Sequence, residues 1–130
     1  MPSLNKVMLI GRLGKEPETR FTPTGKKICT FSLAVDHRWK AANGEAKAAT
    51  DWFNIEMWGH LGEICQQYLH KGRLVYIEGR LRTDRYEEKG ETHYFTKVVG
   101  QHMQMLQPSP EGEEPALPES EEDTAEDTAA

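Results

Sequence analysis

Two tryptophans, Trp52 and Trp58, lie at the ends of a short segment near the middle of the chain. The residues between them alternate between apolar and polar side chains, which predicts a β-strand with one face on a core. By this alternation both tryptophans lie on the polar face, beside Asn54 and Glu56. A large ring exposed there gains little from a core, whereas it can stack with any nucleobase without sequence preference. We therefore interpret the pair as a base-stacking platform, with cover by a loop or a second subunit as the alternative.

Another tryptophan and a group of arginines extend this hypothesis. Trp39 follows a second alternating segment. Strict alternation places its side chain on the core side, whereas a bulge would turn it outward. Both positions stay open. Arg80 and Arg82 share one face of a later strand, and the same parity reaches Tyr86, with Arg85 next to it. Arginines interleaved with aromatic residues suit a phosphate backbone with splayed bases, although a solvated, charged edge strand fits the same pattern.

Motifs for catalysis or for cofactor binding are missing from the sequence. It has no glycine-rich phosphate loop, no dinucleotide fingerprint, no His-Glu-x-x-His and no nucleophile elbow. The five histidines are scattered, and Cys29 and Cys65 have no metal-ligand spacing. We expect no enzyme activity, no cofactor and no metal, with both cysteines as buried thiols in a reducing compartment. The lack of a membrane-length apolar run and of a signal-peptide pattern predicts a cytoplasmic protein.

Charge is distributed unevenly along the 130 residues. Residues 1–107 carry all 16 basic and 12 acidic residues, a net charge of +4, whereas residues 108–130 carry nine acidic residues and no basic one. Four prolines and the loss of apolar periodicity predict a disordered acidic tail over residues 108–130. The folded domain is therefore expected in residues 1–107. A basic domain with a solvated acidic arm suits a surface for which a polyanion and the arm compete.

The elements that would position these side chains are five strands and one helix. The apolar spacing from Leu61 to Leu69 predicts an amphipathic helix between the third and fourth strands, closed by Lys71 and Gly72. This order is that of an OB-fold, an all-β, five-stranded Greek-key barrel that binds mainly oligonucleotides and oligosaccharides; an SH3-like barrel is the alternative. The predicted strands cover residues 4–13, 28–36, 51–58, 73–82 and 92–99, with a short extended piece at 20–21, a polar loop at 40–50 and a possible extension through 103–106.

Four segments in this order resemble the bacterial single-stranded DNA-binding proteins: LNKVMLIGRLG with EPETR, YLHKG, VYIEGRLRT and MQML. The resemblance covers roughly residues 4–106 and implies an OB-fold that forms a homotetramer and wraps single-stranded DNA around its outside. It implies base stacking on Trp39, Trp52, Trp58 and Tyr86, and so favours the platform for the first of these. It also implies phosphate contacts at or near Lys40, Lys47, Lys71 and Arg85.

The resemblance predicts sequence-tolerant binding and protection of single-stranded DNA in replication, recombination and repair. Family members usually end in several aspartates and an apolar tip, whereas this chain ends in Thr128, Ala129 and Ala130. The sequence therefore does not predict docking of replication and repair proteins through such a tip. The alternative function is an OB-fold docking subunit of a primosome-like assembly with weak DNA binding. The altered tip supports this alternative, and the four aromatic residues oppose it.

Overall fold

The computed structural model describes residues 2–106 of the chain. Within them lie six strands and one helix, whereas the predicted domain boundary at residue 107 and the predicted tail 108–130 lie outside the described residues. In chain order the elements are β1 (Val7–Leu13), β2 (Glu18–Phe21), β3 (Lys27–Lys40), β4 (Ala46–Trp58), α1 (Gly59–Tyr68), β5 (Leu74–Glu88) and β6 (Glu91–Met105).

The five long strands form a closed barrel in the order β1-β5-β6-β4-β3 and back to β1. The ring closes where β1 pairs antiparallel with β3, with Arg12 opposite Ala34. Strands β4 and β6 run parallel, with Ile55 opposite Val98. The short β2 pairs with β3 outside the ring. Five barrel strands with the helix between the third and fourth of them confirm the predicted OB-fold.

The core is formed by the apolar side chains that alternation assigned to the buried faces of the strands. Helix α1 contributes its apolar stripe, and it lies so close to β4 that a Cβ on Gly62 would collide with the carbonyl of Met57. Both cysteines are fully buried, and burial raises the pKa of the Cys29 thiol to about 11 and that of the Cys65 thiol well above its usual value. The buried core includes Leu13, Cys29, Phe31, Leu33, Ile55, Met57, Leu61, Ile64, Cys65, Leu69, Val75, Ile77, Val98, Met103 and Met105.

The prediction of a polar loop over residues 40–50 is wrong. Strand β3 continues to Lys40 and β4 begins at Ala46, so that only residues 41–45 form a turn. At this turn the N–H of Gly44 donates to the carbonyl of Ala41 at 2.9 Å, and Gly44 has a φ of +86°. The paired ends of the two strands extend beyond the barrel as an arm. Because both faces of this arm contact water, its sequence lacks the alternation by which strands are recognised.

The ends of other elements also differ from the prediction. Helix α1 ends at Tyr68, so Lys71 lies in the following turn and not in the last helical turn. This turn is held against the end of β1, because the N–H of Gly72 donates to the carbonyl of Leu13 at 2.8 Å. Strand β1 begins at Val7, three residues later than predicted. Strands β5 and β6 form one long hairpin with a register shift after Glu78, and β6 includes the predicted extension up to Met105.

Candidate functional site

A groove opens on one side of the barrel between strands β2, β3 and β4 and the hairpin of β5 and β6. Its volume is about 480 Å³, and two aromatic side chains of the hairpin, Tyr86 and Phe95, line it. Asn54 lines it from β4, on the polar face where the sequence places the two tryptophans. The remaining lining residues are Lys15, Glu18, Arg20, Thr30, Phe31, Ser32, Ile55, Glu56, Asp84 and Lys97.

The two tryptophans of β4 differ in how they are held. The Trp52 side chain is 60 % exposed, and its ring lies against Gly14, where a Cβ would collide with it. Trp58 is half-buried, and its Nε1–H donates a hydrogen bond to the Glu56 carboxylate at 2.6 Å. Both rings lie off the core, as the alternation predicts. The Trp52 ring therefore packs on a glycine, and the orientation of the Trp58 ring is fixed by a hydrogen bond to a carboxylate.

Trp39 lies on the arm and is 44 % exposed, which agrees with the platform position and not with the core position. The bulge that parity required is missing, because β3 and β4 pair without interruption from Ile28 to Lys40. Alternation does not predict the position of Trp39 for another reason. From Asp36 onward β3 extends beyond the barrel, so neither face of the strand packs against the core. The Trp39 ring stacks on His37, with 5.2 Å between the ring centroids and 20° between the ring planes.

The arm brings three of the predicted residues together. Trp39, Lys40 and Lys47 line a second, shallower cavity of about 430 Å³, together with Arg38, Ala46 and Ala48. The Nζ of Lys47 lies 3.7 Å from the Glu45 carboxylate, an exposed pair that water screens. An aromatic ring between exposed cations suits a base and its flanking phosphates.

Tyr86 lies on the β5–β6 hairpin with its ring stacked on His93, at 5.2 Å between centroids and 22° between planes. It is 48 % exposed. The hairpin also exposes Tyr94 and Phe95, which the sequence analysis did not single out. Because these two residues are adjacent, alternation assigns one of them to a core, yet this part of the hairpin extends beyond the barrel. Two adjacent aromatic residues among the polar and charged residues of the hairpin are the signal that could have identified them.

The predicted cations are spread around the barrel. Arg82 pairs with Asp84 at 3.3 Å, and Arg85 pairs with Glu87 at 3.6 Å, both on β5. Arg80 lies half-buried nearer the barrel end of the same strand. Lys71 is exposed in the turn after α1 and lines neither cavity. Three cations that the prediction left out line the groove instead: Lys15, Arg20 and Lys97.

The groove contains a buried carboxylate that alternation did not predict. Glu56 is 2 % exposed although it lies on the polar face of β4. Its Oε2 accepts from the Nζ of Lys97 at 2.7 Å and lies 3.4 Å from a guanidinium nitrogen of Arg20. Lys97 also contacts Asp84 at 2.9 Å, and its hydrogen bond holds the pKa of the Asp84 carboxyl below its usual value. Acidic and basic groups thus balance one another in the groove.

Two kinds of site are missing from the part of the chain that the structure describes. Among residues 2–106, no three His, Cys, Asp or Glu side chains are grouped so as to hold a metal ion. The single helix described, of ten residues, is too short to cross a membrane.

The model of the family described as "Single-strand binding protein family" matches residues 4–106. The chain belongs to this family. The resemblance carried by the four sequence segments is thereby confirmed, over the same residues.

Curated relatives in this family include Single-stranded DNA-binding protein 1 of Chlorobaculum tepidum, which is 48 % identical over 105 residues. The match covers 79 % of this chain and 65 % of that protein. The Single-stranded DNA-binding protein of Neisseria meningitidis is 47 % identical over 105 residues, covering 80 % of this chain and 60 % of that protein. The chain therefore matches less than two thirds of the length of these two relatives.

Solved structures of the family have the same fold. The Plasmodium falciparum SSB in complex with ssDNA superposes with a TM-score of 0.76 at 34 % identity, over 82 % of this chain and 98 % of that one. A deletion mutant of the single-stranded DNA binding protein from Thermus aquaticus superposes with a TM-score of 0.73 at 30 % identity, over 80 % of this chain and 51 % of that one.

Proposed function

We propose that this chain binds single-stranded DNA with little sequence preference and protects it during replication, recombination and repair. Bases stack on aromatic rings of the groove and the arm, and exposed cations contact the phosphates. The chain acts as a cytoplasmic binding protein and not as an enzyme. The proposed stacking residues are Trp39, Trp52, Trp58 and Tyr86, and the proposed phosphate contacts are Lys40, Lys47, Lys71, Arg80, Arg82 and Arg85.

The observation that carries this proposal is the exposure of large aromatic rings on the groove, on β4 and on the arm. Tyr86 lines the groove, Trp52 lies two residues from the groove residue Asn54 on the same face of β4, and Trp39 lies on the arm. Exposed rings cost hydrophobic free energy, so their accumulation beside a groove indicates a ligand that covers them. A family member of similar fold has been solved with single-stranded DNA, which supports DNA as that ligand.

Titration of the intrinsic tryptophan fluorescence with oligo-dT tests the function directly. Stacking on Trp39 or Trp52 should quench the emission with a saturable curve, whereas duplex DNA of the same length should quench it far less. The alternative function, a docking subunit with weak DNA binding, requires no base on these rings. Emission that stays unchanged at micromolar oligo-dT and low salt would favour the docking subunit.

The cations of the arm should appear in the salt dependence of binding. We expect Lys40→Gln combined with Lys47→Gln to make the log–log slope of affinity against salt shallower by about 1.4, since each phosphate contact on a single strand contributes about 0.7. The measurement is a series of titrations with labelled oligo-dT at increasing salt. Lys6→Gln is the matched control, because Lys6 lies 3.5 Å from Glu78 on another face. An unchanged slope in the double variant would exclude phosphate contacts from the arm.

We also propose that the chain assembles as a homo-oligomer, a tetramer by the family resemblance. Met8 and Ile10 are exposed on the outer face of β1, and Ile10 lies opposite Tyr76 of β5. The Tyr76 hydroxyl donates to the Glu78 carboxylate at 2.8 Å, so a polar pair borders the apolar residues. Contiguous exposed apolar side chains with a polar border are typical of a protein–protein contact, and a second copy of this chain fits them.

Substitution of Ile10 by glutamate should reduce the size of this assembly. In a tetramer each subunit would bury one glutamate without a partner. This would cost each interface several kcal/mol of association free energy, which is enough to dissociate it at micromolar concentration. Light scattering coupled to size exclusion measures the outcome, and Lys26→Glu in the exposed turn between β2 and β3 is the control. An assembly of unchanged mass in the Ile10 variant would place the interface elsewhere.

A further inference from the structure

We propose that Glu56 is a positioning residue for the base-stacking ring of Trp58, and that, together with Asp84, it withdraws Lys97 from contact with phosphates. The floor of the groove beside Lys97 then receives bases, while phosphates follow the exposed cations. This inference rests on the proposed function, because it assigns a role to one residue within the same binding site.

The two oxygens of the Glu56 carboxylate have different partners. Oε1 accepts from Trp58 Nε1 at 2.6 Å, and Oε2 accepts from Lys97 Nζ at 2.7 Å with Arg20 at 3.4 Å. The residue is 2 % exposed, so water does not compete for either oxygen. Each oxygen therefore makes a charge-assisted hydrogen bond of the stronger kind.

The bond to Oε1 fixes a ring that would otherwise rotate. A half-buried indole at the end of β4 can turn about its side-chain torsions, and binding a base would then require the ring to be ordered. A ring that is already held in one orientation loses less conformational entropy when a base stacks on it. Trp52 rests against Gly14, and its ring has no hydrogen-bond partner among the described residues. The carboxylate thus has a specific effect on Trp58 alone among the tryptophans.

The contacts of Oε2 lower the attraction of the groove for a phosphate. Lys97 is 11 % exposed and lies between two carboxylates, Glu56 at 2.7 Å and Asp84 at 2.9 Å. A cation enclosed in this way has no vacant side for a phosphate. Lys15, Arg20 and Lys97 are matched in the groove by Glu18, Glu56 and Asp84, so a phosphate gains little charge attraction there.

The substitution Glu56→Gln separates these two roles from a general effect on packing. Its side chain has nearly the same shape, but it has one acceptor oxygen and one NH2 group. The oxygen must face either the two cations or the indole, and the NH2 group then opposes a donor on the other side. We expect the oxygen to face Lys97 and Arg20, because their charges attract it more strongly. Trp58 would then lose its acceptor and its fixed orientation.

The test is a double-mutant cycle on oligo-dT affinity, built from Glu56→Gln and Trp58→Phe. Trp58→Phe keeps an aromatic ring but removes the N–H that Glu56 holds. We expect Glu56→Gln to weaken binding by about fivefold in the wild-type background and by less than about twofold in the Trp58→Phe background. Asp84→Asn is the matched control, since Asp84 contacts the same lysine but not the indole. Its effect should be the same in both backgrounds.

A measurement without DNA checks the contact itself. The chain has three tryptophans, so NMR should show three indole N–H resonances. We expect one of them, that of Trp58, to exchange slowly with solvent in the wild type and rapidly in Glu56→Gln. If Glu56→Gln does not fold, Glu56→Leu with Lys97→Met removes the acceptor and both buried charges together, and the same exchange and affinity results are expected of it.

The outcomes distinguish this inference from the proposed function. Equal losses from Glu56→Gln in both backgrounds, or a Trp58 N–H that exchanges as fast as the other two, would overturn the positioning role while DNA binding stands. If Trp52→Ala and Trp58→Ala both leave the affinity unchanged, the proposed stacking function fails, and the positioning of Trp58 for a base fails with it.

Discussion

Alanine at both Trp52 and Tyr86 should weaken the binding of oligo-dT by about 2–6 kcal/mol, which is roughly a factor of 30 to 10⁴. Each ring offers one stacking surface worth about 1–3 kcal/mol. Their strands, β4 and β5, are not neighbours in the barrel, so the two losses should be nearly additive. Both side chains are largely exposed, so the free energy of unfolding should change by only about 0.5 kcal/mol.

Anisotropy of a labelled oligonucleotide measures this effect without relying on the tryptophans that are removed. Tyr94→Ala is the control, because Tyr94 is an exposed aromatic of the same hairpin that is not among the proposed stacking residues. We expect the control to bind within about twofold of the wild type, since it removes a comparable ring on which the proposal places no base. Circular dichroism checks that all three proteins have the same strand content. A double variant that binds as tightly as the control would exclude stacking on Trp52 and Tyr86 as a source of affinity.

The second large effect concerns stability. Lys97→Met should lower the free energy of unfolding by about 3–5 kcal/mol, because it leaves the buried Glu56 carboxylate without its strongest partner. The double variant Glu56→Leu with Lys97→Met should recover most of this loss, since apolar side chains of similar volume replace the whole pair. Urea unfolding of the two variants and the wild type measures the difference. A Lys97→Met protein as stable as the wild type would show that water reaches Glu56 after all.

The same lysine gives stability a dependence on pH. Its hydrogen bond lowers the pKa of Asp84 in the folded state, so this pair stabilises the fold above the unfolded pKa of about 3.9 and ceases to do so as the pH falls through the folded value. Lys97→Met removes that contribution. We therefore expect its free energy of unfolding to fall less steeply than that of the wild type between about pH 5 and pH 3.

Local periodicity determined most of the barrel. Alternation identified the strands whose side chains meet a core, as at Phe31 and Leu33, and the apolar stripe from Leu61 identified the helix. The same alternation placed Trp52 and Trp58 off the core, because a strand reverses its face at every residue wherever one side is buried. The family segments add the choice of the OB-fold over the SH3-like barrel and the exposed position of Trp39.

Tertiary structure alone decided where alternation stops being informative. Beyond Asp36 the paired ends of β3 and β4 leave the barrel, and a strand with water on both faces has no parity to read. Alternation therefore left the position of Trp39 open and predicted a loop where the two strands continue. Glu56 shows the opposite case. Its polar face is covered by residues that are distant in sequence, Arg20 by 36 positions and Lys97 by 41. Burial of a side chain is a sum over neighbours brought together by the closed barrel, and a pattern of adjacent residues contains no information about those neighbours.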